Sequence, residues 1–432
     1  MTRSGAILWL EETGMQDVGE VGGKNASLGA MIRELKQEGI RVPDGFATTA
    51  RTYWRVIEEN GLDEVIRALV KDLEQGRKQL SEVGRSIRTR VQDLVWPEDV
   101  EAQIRQAYRR MSERYQTEAV DVAVRSSATA EDLPESSFAG QQESFLNIVG
   151  ENQLLEAIRN CYASLFTDRA ISYRQERGFD HLKVALSAGV QKMVRSDLAG
   201  SGVMFSIDTE TGFPHTIIIN AAWGLGENVV QGTVTPDEYR VFKPLLQDGR
   251  YRPIVEKAMG FKERKMVYAE GGTKRTKNVV TSAEEKGAYV LDEEEILQLA
   301  RWATIAEEHY GQALDMEWAK DGRSGLLYLV QARPETVQSQ KEAASLKHYT
   351  LKQSGEQLLA GLSIGDAIAA GPVCRIRSAS EIEQFREGSI LVTEMTDPDW
   401  VPVMKKAAGI ITDHGGRTCH AAIVSRELGV PA

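Results

Sequence analysis

The run that begins at Thr412 places a histidine in a setting that favours nucleophilic chemistry. It reads TDHGGRTCHAAIVSRELGVPA. A Gly-Gly turn followed by Thr418 as N-cap predicts a helix whose first turn carries His420. The positive end of the helix dipole disfavours an imidazolium, so the ring stays neutral, and it stabilises negative charge on a phosphoryl group bound to the ring. We therefore predict His420 as a phosphoryl-accepting nucleophile, with Arg417 close enough in sequence to assist.

A second nucleophile in the same run is the cysteine next to that histidine. Cys419 carries a thiol, but the sequence places no separate histidine base for it. The other histidines lack the helix-start setting, and we interpret them as structural: His181, His215, His309, His348 and His414. The imidazole at position 420 is therefore the favoured nucleophile, and the thiol at 419 is the alternative.

Two strand-like runs around a turn bring oxygen ligands and an arginine together. DMEWA and LLYLVQAR are joined by a segment that contains Asp-Gly, a hairpin signal. The period of two then places Asp315 with Glu317, and Gln331 with Arg333, on one face. Carboxylate and amide oxygens bind Mg²⁺ together with substrate phosphates, and the arginine can steady a transferring phosphoryl group. The alternative, an exposed face with cross-strand ion pairs, is weakened by the apolar residues of the opposite face: Met316, Trp318, Val330 and Ala332.

Two further motifs suit phosphate groups. VGGKNASLG is a glycine pair that opens a helix with Lys24 at its mouth, and helix N-termini and lysines both attract phosphate. VAVRSSATAEDLP carries Arg125 on a strand that runs into a hydroxyl-rich loop, an arrangement suited to a phosphate chain under a lid. The alternatives are a solvated lysine after a simple turn and an ordinary polar surface loop.

Two weaker signals complete a candidate nucleotide site. QKMV, which contains Gln191, Met193 and Val194, predicts an apolar strand able to flank a purine and to offer backbone hydrogen bonds. WGLGE, at residues 223–227, is glycine-rich and able to approach phosphate or ribose. As isolated strings, both are more typical of structural segments.

Helices and strands must position these motifs, and the apolar periodicity predicts both. We expect a helical block over about 53–115, then strands between Gly/Ser-rich loops through 119–335, an α+β arrangement with a large antiparallel part. Residues 335–350 are polar and weakly patterned, as in a linker. The N-terminal segment predicts a strand at 6–10, a helix at 25–37 and an extended piece at 41–49. The last block predicts strands at 358–364, 371–377, 389–393 and 409–412 and a helix at about 419–428.

Composition narrows the class of protein. The 432 residues suit two or three domains, and 42% hydrophobic with 27% charged residues describes a globular chain. A net charge of −11 argues mildly against nucleic acid or an anionic membrane as partner. Three scattered cysteines fit neither a disulfide framework nor a zinc site. No apolar stretch approaches the roughly 18 residues that a membrane span needs. We expect a cytoplasmic protein without membrane or nucleic-acid partners.

Taken in order, these strings resemble the pyruvate phosphate dikinase family of PEP-utilising enzymes. The resemblance covers nearly the whole chain and is carried by GGKNASLG, VRSSATAEDLPESSFAGQQESF, QKMVRSDLAGSGVMFSIDTETGF, WGLGENVVQG, DMEWAKDG, LVQARPET, MTDPDW and GGRTCHAAIVSRELGVPA. It implies an ATP-grasp nucleotide-binding domain at 1–340 that includes the helical block, and a linker at 341–350. A swivelling β/α phosphohistidine domain would follow at 351–432, truncated at its C-terminus.

The resemblance also implies roles for single residues. It matches Lys24, Arg125 and Arg333 to phosphate binding, and Glu317 and Gln331 to Mg²⁺ ligation. It matches Asp315 to a catalytic acidic residue and His420 to the phosphorylated histidine. The strand beside adenine corresponds to Gln191, Met193 and Val194, and Thr418 corresponds to a threonine that a regulatory kinase/phosphorylase modifies.

The implied activity is a phosphotransfer. His420 takes the β-phosphoryl group of Mg·ATP, AMP leaves, and the γ-phosphate is lost to water. This is the first half of a gluconeogenic conversion of pyruvate, ATP and water to phosphoenolpyruvate, AMP and phosphate. The pyruvate-binding barrel is missing and a strand should follow Pro431, so we expect a fragment of a longer, homodimeric enzyme.

Two alternatives stay open. One is a related dikinase with another acceptor, such as a rifamycin antibiotic. Its acceptor domain would lie between the ATP and histidine domains, whereas here the histidine block follows Arg333 almost directly. The other is a non-turnover module that binds nucleotide and carries phosphohistidine for a separate acceptor chain.

Overall fold

The chain folds into two compact units. The computed structural model describes residues 5–129, 132–133, 136–137, 143–176, 178–269, 275–335, 355–365, 367–397, 400–417 and 419–432. The first unit comprises Met1–Val194 and Tyr268–Thr276, and the second comprises Arg195–Val267 and Lys277–Ala432. The second unit therefore contains both the predicted hairpin and the histidine.

The first unit is built on a five-stranded antiparallel sheet in the order β1–β2–β7–β3–β6. The strands of this unit, which include the separate pair β4 and β5, are β1 (Ile7–Trp9), β2 (Gly45–Thr48), β3 (Val122–Ala128), β4 (Asp132–Leu133), β5 (Ser136–Ser137), β6 (Ser144–Ile148) and β7 (Leu186–Lys192). The short strands β4 and β5 pair with each other. β3 and β7 are almost fully buried, so their side chains form the centre of this sheet.

Helices cover this sheet and extend it into a helical block. They are α1 (Val18–Glu34), α2 (Ala50–Glu59), α3 (Leu62–Glu74), α4 (Leu80–Gln92), α5 (Glu98–Arg114), α6 (Glu151–Ser164) and α7 (Asp168–Glu176). Thr49 caps α2 by accepting a hydrogen bond from the N–H of Thr52 at 3.2 Å. The rings of Tyr53 and Tyr162 meet edge to face at 5.1 Å and join α2 to α6 in one apolar core.

The second unit contains a six-stranded antiparallel sheet in the order β11–β10–β9–β8–β14–β15. Its strands and the ribbon β12–β13 are β8 (Gly200–Phe205), β9 (Thr216–Trp223), β10 (Asp237–Phe242), β11 (Ile254–Ala258), β12 (Arg264–Tyr268), β13 (Thr276–Val280), β14 (Leu314–Lys320) and β15 (Leu327–Pro334). Three helices lie between these strands along the chain: α8 (Glu227–Val230) between β9 and β10, and α9 (Ala283–Gly287) and α10 (Glu293–Tyr310) between β13 and β14. α10 begins with a capping box of Asp292 and Glu295.

The histidine block differs from both sheets because its three strands are parallel. They are β16 (Val373–Arg375), β17 (Ile390–Thr393) and β18 (Gly409–Thr412), in the order β16–β17–β18. Two helices accompany them, α11 (Val401–Met404) and α12 (His420–Leu428). Parallel strands need crossover connections, and α11 lies in the connection from β17 to β18. Leu391, Trp400, Met404 and Ile410 form the core of this block.

Most predicted elements are present, but one predicted strand is wrong. Residues 358–364 have no regular secondary structure, and Leu358 and Leu359 are 82% and 74% exposed. An apolar run forms a strand only where a partner strand is available, and here Ile364 alone exchanges two backbone hydrogen bonds with Ala432. The predicted helix at 25–37 begins earlier, at Val18, with a break at Gly22.

The predicted apolar face of the hairpin also needs a correction. The register of β14 and β15 shifts between Glu317 and Trp318, so Trp318 lies opposite Leu329 and not Val330. A β-bulge of this kind adds one residue to one strand and reverses the alternation beyond it. The polar pairs before the bulge keep their predicted register.

Several predictions concern residues that the structure does not describe. The linker at 341–350 and most of the loop at 130–142 lie outside the described residues, and the predicted domain boundaries at 340 and 351 stay predictions. In the ranges that are described, no helix is long and apolar enough for a membrane crossing.

Candidate functional site

His420 is the first residue of α12, and Cys419 occupies the N-cap position without a side-chain cap hydrogen bond. The prediction of Thr418 as N-cap is therefore wrong, and Thr418 itself lies outside the described residues. Gly415, with φ 114°, makes the turn that leads into the helix. Because the first N–H groups of a helix lack intrahelical acceptors, the imidazole lies at an end of α12 that favours negative charge.

A threonine that the sequence reasoning missed contacts the ring. The Oγ1 atom of Thr396 lies 3.1 Å from Nδ1 of His420. The signal was present in the string MTDPDW, where a hydroxyl follows a short strand, but nothing in it points to a residue 24 positions away. Arg417, predicted to assist the histidine, donates a hydrogen bond to Oε1 of Glu238 at 3.0 Å.

The alternative nucleophile is disfavoured by its surroundings. Cys419 is only 6% exposed, and burial raises the pKa of its thiol. Since the thiolate is the reactive form, a buried and protonated thiol is a poor nucleophile. The imidazole beside it, which is half-buried, remains the better candidate.

Side-chain contacts attach α12 to residues 208–240 of the same unit. Arg426 forms an ion pair with Glu210, and both side chains are largely buried. Glu210 also accepts a hydrogen bond from the N–H of Gly365 at 3.1 Å. A Cβ atom on Gly232 would lie 2.2 Å from Cβ of Cys419, so only glycine allows this approach. The start and the end of α12 are thus both held from outside its own sheet.

The hairpin brings the predicted oxygen ligands and arginine into one cluster. Asp315 lies opposite Arg333, and Glu317 lies opposite Gln331. Arg333 donates two hydrogen bonds to Oδ2 of Asp315, from Nε at 2.9 Å and from a terminal nitrogen at 2.7 Å. The cross-strand ion pair weighed as the alternative is therefore present, but between Arg333 and the aspartate.

Burial dominates the electrostatics of this cluster. It raises the pKa of the Asp315 carboxyl above its usual value, and the nearby carboxylates of Glu317 and Glu335 raise it further. The Arg333 guanidinium acts in the opposite direction without cancelling the effect of burial. Burial, and not the neighbouring arginine, therefore sets the direction in which the pKa of Asp315 moves.

The donor set of the hairpin fits Mg²⁺ by its chemistry. Glu317 and Gln331 are opposite residues of an antiparallel pair and carry hard oxygen donors. Among the described residues, no group of three or more His, Cys, Asp or Glu side chains is arranged for a metal. One carboxylate and one amide leave most coordination positions to water and substrate, which is how Mg²⁺ binds with phosphates.

In the first unit, the glycine motif packs directly against the strand that carries Arg125. Gly22 has φ 74° and ψ 164°, and a Cβ there would lie 2.3 Å from Oγ of Ser127. The side chain of Asn25 donates hydrogen bonds to the carbonyl of Val21 at 3.0 Å and to Oγ of Ser187 at 2.9 Å. α1 is therefore broken at Gly22, and the part that carries Lys24 is anchored to β3 and β7.

Arg125 lies on the same face of β3 as the serine under Gly22, because side chains two residues apart in a strand share a face. It is half-buried, whereas every other residue of β3 is buried. The structure thus brings the mouth of α1 and the arginine-bearing face of β3 together within the first unit. The packing concerns Gly22 and Asn25, and the role of the Lys24 side chain stays a prediction.

The predicted adenine strand is shorter than expected. β7 ends at Lys192, so Met193 and Val194 lie beyond it. The N–H groups of Lys192 and Met193 donate to the carbonyls of Asp44 and Asp121 at 3.0 and 3.1 Å. Gln191 is buried and donates to the carbonyl of Pro43 at 3.3 Å. These donors are satisfied by protein, which the sequence could not show.

The glycine-rich segment WGLGE has a structural anchor. Gly224 has φ 87°, and its N–H donates to the carbonyl of Ala199 at 3.0 Å. The indole of Trp223 donates to the carbonyl of Glu285 at 2.8 Å. These bonds hold the end of β9 in place, in keeping with the structural interpretation of this segment.

Comparisons with known proteins agree with the motifs. Residues 18–353 match the pyruvate phosphate dikinase AMP/ATP-binding domain, and residues 385–432 match the PEP-utilising enzyme mobile domain. The chain is similar to proteins named phosphoenolpyruvate synthase, at 56% identity in Synechocystis sp., 51% in Aquifex aeolicus and 50% in Escherichia coli. Each match covers 99% of this chain.

The same matches cover only part of those relatives. The chain spans about half their length, namely 53%, 51% and 54% in the same order. Identity at this level over nearly the whole chain, together with a domain match that covers most of it, leaves no ambiguity about descent. The chain belongs to the pyruvate phosphate dikinase family.

Proposed function

We propose that this chain carries out the ATP half-reaction of a pyruvate, water dikinase, with His420 as the phosphoryl acceptor. The observation that carries the proposal is the place of His420 at the first position of α12, in contact with Thr396. The free N–H groups there favour the phosphoryl oxygens once they are attached to the ring. Burial raises the pKa of the Cys419 thiol, which supports the imidazole over the competing nucleophile.

The proposed step is a displacement at the β-phosphorus of ATP. A lone pair of the imidazole forms the N–P bond, and the bond to the bridging oxygen breaks, with its electron pair leaving on AMP. Water then attacks the γ-phosphorus, and inorganic phosphate departs. One phosphoryl group, the former β-phosphoryl of ATP, remains on His420.

We propose an ATP-grasp type of fold and nucleotide-binding roles for residues within each unit taken by itself. Lys24, at the glycine break of α1, and Arg125, on the neighbouring face of β3, are proposed phosphate ligands of the first unit. Gln191, Met193 and Val194 are proposed to flank adenine. Anchoring by Asn25 pre-organises the lysine-bearing helix, so binding costs little ordering.

In the second unit, Glu317 and Gln331 would hold Mg²⁺, which supplies charge neutralisation to the nucleotide phosphates when bound. Asp315 orients Arg333 through the two hydrogen bonds between them. We propose that the guanidinium, oriented in this way, binds the transferring phosphoryl group.

The complete reaction is proposed from the relatives, which are named phosphoenolpyruvate synthase. Phospho-His420 would then phosphorylate pyruvate. Phosphorylation of Thr418 by a regulatory kinase is proposed as a control. Its position two residues before the histidine would place a second phosphate close to the one that the imidazole accepts, and two such charges repel each other.

The position of the ³²P label in ATP tests whether His420 accepts the β-phosphoryl group. The full chain is incubated with MgCl₂ and either β-³²P or γ-³²P ATP, and protein-bound label is measured after acid and after base treatment. We expect label from the β position that is stable in base and lost in acid, with γ label released as inorganic phosphate.

A His420→Ala chain should retain no acid-labile label, whereas His414→Ala, which changes a histidine of the preceding turn, should retain it. Acid-labile label on the His420→Ala chain would refute the assignment. Retention of γ label without β label by the unchanged chain would refute the displacement at the β-phosphorus.

A further inference from the structure

Two ionic contacts hold the two ends of α12. Arg417, in the turn before the helix, donates a hydrogen bond to Oε1 of Glu238 at 3.0 Å, and Arg426, in the last turn, is paired with Glu210. None of these four side chains is more than 22% exposed. Water therefore screens their charges only in part, and each pair responds to other charges placed near it.

Arg240, on β10, lies next to the first of these contacts. Its Nε donates to Oε1 of Glu238 at 3.1 Å, so this one oxygen accepts from Arg417 and from Arg240 at the same time. Its Nη1 donates to Oδ2 of Asp208 at 3.2 Å. One guanidinium thus joins two carboxylates that come from different segments of the chain.

Asp208 in turn organises the loop that carries the second contact. Its side chain is buried, and its Oδ1 accepts from the N–H of Glu210 at 2.9 Å. Its carbonyl accepts from the N–H of Gly212 at 2.8 Å. The position of Glu210 therefore depends on how Asp208 is held. A continuous path of contacts connects the two ends of α12 through Arg417, Glu238, Arg240, Asp208, Glu210 and Arg426.

The positive charge of Arg240 is secured by its surroundings. Burial lowers the pKa of the guanidinium, the carboxylates of Glu238, Asp208 and Glu256 raise it, and the balance lies above the usual value. Glu256, on β11, lies 3.2 Å from Nε of Arg240, and its side chain is 54% exposed. This third carboxylate is outside the path that leads to α12, and it offers a control for the two that are part of it.

We propose that Arg240 couples the two ionic contacts of α12, so that the loss of either contact weakens the other. Without Arg417, the Glu238 carboxylate lacks one of its two cationic partners and draws Arg240 towards itself, away from Asp208. The loop that presents Glu210 to Arg426 then loses part of its anchor. The inference goes beyond the proposed function, because no nucleotide or phosphoryl group takes part in it.

The rate at which iodoacetamide labels Cys419 measures how often α12 is released, because this thiol is buried against Gly232. The full chain is compared with Arg417→Gln, with Arg426→Gln and with the double variant, and the buried Cys161 is the internal reference for global unfolding. If each single substitution speeds labelling about tenfold, independent contacts predict about a hundredfold for the double variant. We expect less than about thirtyfold, because each single substitution already weakens the other contact.

A break in the path at Arg240 tests its role directly. In an Arg240→Gln background, the effects of the two substitutions on the labelling rate should multiply to within about twofold. Asp208→Asn is a second break, which removes the charge but keeps the oxygen that accepts from the N–H of Glu210. Glu256→Gln is the matched control, because it removes the carboxylate outside the path and should leave the native coupling unchanged.

Two results would overturn the proposal. One is a double variant whose effect equals the product of the single effects in the native background. The other is a shortfall from that product that persists in both Arg240→Gln and Asp208→Asn, because the coupling would then run through other residues. If Arg240→Gln does not fold, Asp208→Asn still decides the question. No nucleotide is added in any of these measurements, so their outcome does not depend on whether His420 is phosphorylated.

Discussion

The two glycine pairs that open helices are alike in sequence and differ in how they are held. At Gly22, the helix α1 is packed against the sheet of its own unit, with the backbone in contact with Ser127 and Asn25 bonded to Ser187. At Gly415, the helix α12 packs through Cys419 against Gly232, and it is also joined to other elements by ion pairs, through Arg417 with Glu238 and the buried pair at its far end. Both openings are packed, and the second one depends in addition on ion pairs.

This difference matches the chemistry proposed for each opening. A phosphate site gains from rigidity, because the cost of ordering is already met in the folded state. A histidine that receives a group from one substrate and delivers it to another needs contacts that can be released. Side-chain ion pairs can separate without a change in the backbone of the elements that they join, whereas the backbone contact at Gly22 cannot.

The largest effect on the free energy of unfolding is expected at Gly22, where α1 is broken. Gly22→Ala forces a side chain into a backbone conformation that favours glycine and into contact with Ser127, so we expect a loss of about 3 kcal/mol in the free energy of unfolding. Gly19→Ala, in the same helix with nothing within 4 Å of the new Cβ, should gain about 0.5–1 kcal/mol. Urea unfolding of both chains measures the difference, and equal midpoints would show that the opening is not rigid.

A smaller effect on stability is expected for the ion pair that joins α12 to Glu210. Arg426→Gln and Glu210→Gln each leave a buried charge without its partner, and the double variant should recover part of the loss. A double-mutant cycle of thermal stability should give a coupling of about 1–3 kcal/mol. Arg250 with Asp248, an exposed pair, is the control and should couple by less than about 1 kcal/mol. Additive effects at Arg426 and Glu210 would contradict the attachment.

The smallest effect is a difference in the reactivity of two buried thiols. Cys161 lies in the core of the first unit and Cys419 lies against Gly232, and burial raises the pKa of both. If α12 can be released, Arg426→Gln should speed iodoacetamide labelling of Cys419 roughly tenfold and leave Cys161 unchanged. Peptide mass spectrometry over time measures both rates together with that of the more exposed Cys374.

Equal labelling rates for Cys161 and Cys419, in the native chain and in Arg426→Gln alike, would mean that both openings are equally fixed. In that case the ion pair would contribute to the stability of the folded chain without controlling the release of α12.

Alternation and turn chemistry were enough to predict the hairpin cluster. The period of two placed Asp315 opposite the strand that carries Arg333, and the structure has that register. The same reasoning failed for Val330, because a bulge is a property of two strands together and not of either sequence. It failed at 358–364 for a similar reason, since apolar residues predict a strand only where another strand is available to pair with it.

By itself, the sequence determined where the backbone must turn and which residues share a face. Gly22 and Gly415 mark positions of positive φ, and such constraints are local to a few bonds. Only the tertiary structure decided that Thr396 contacts His420 and that Arg417 contacts Glu238, 179 residues away. Contacts of that kind depend on how whole elements pack, and no local pattern of residue types records them.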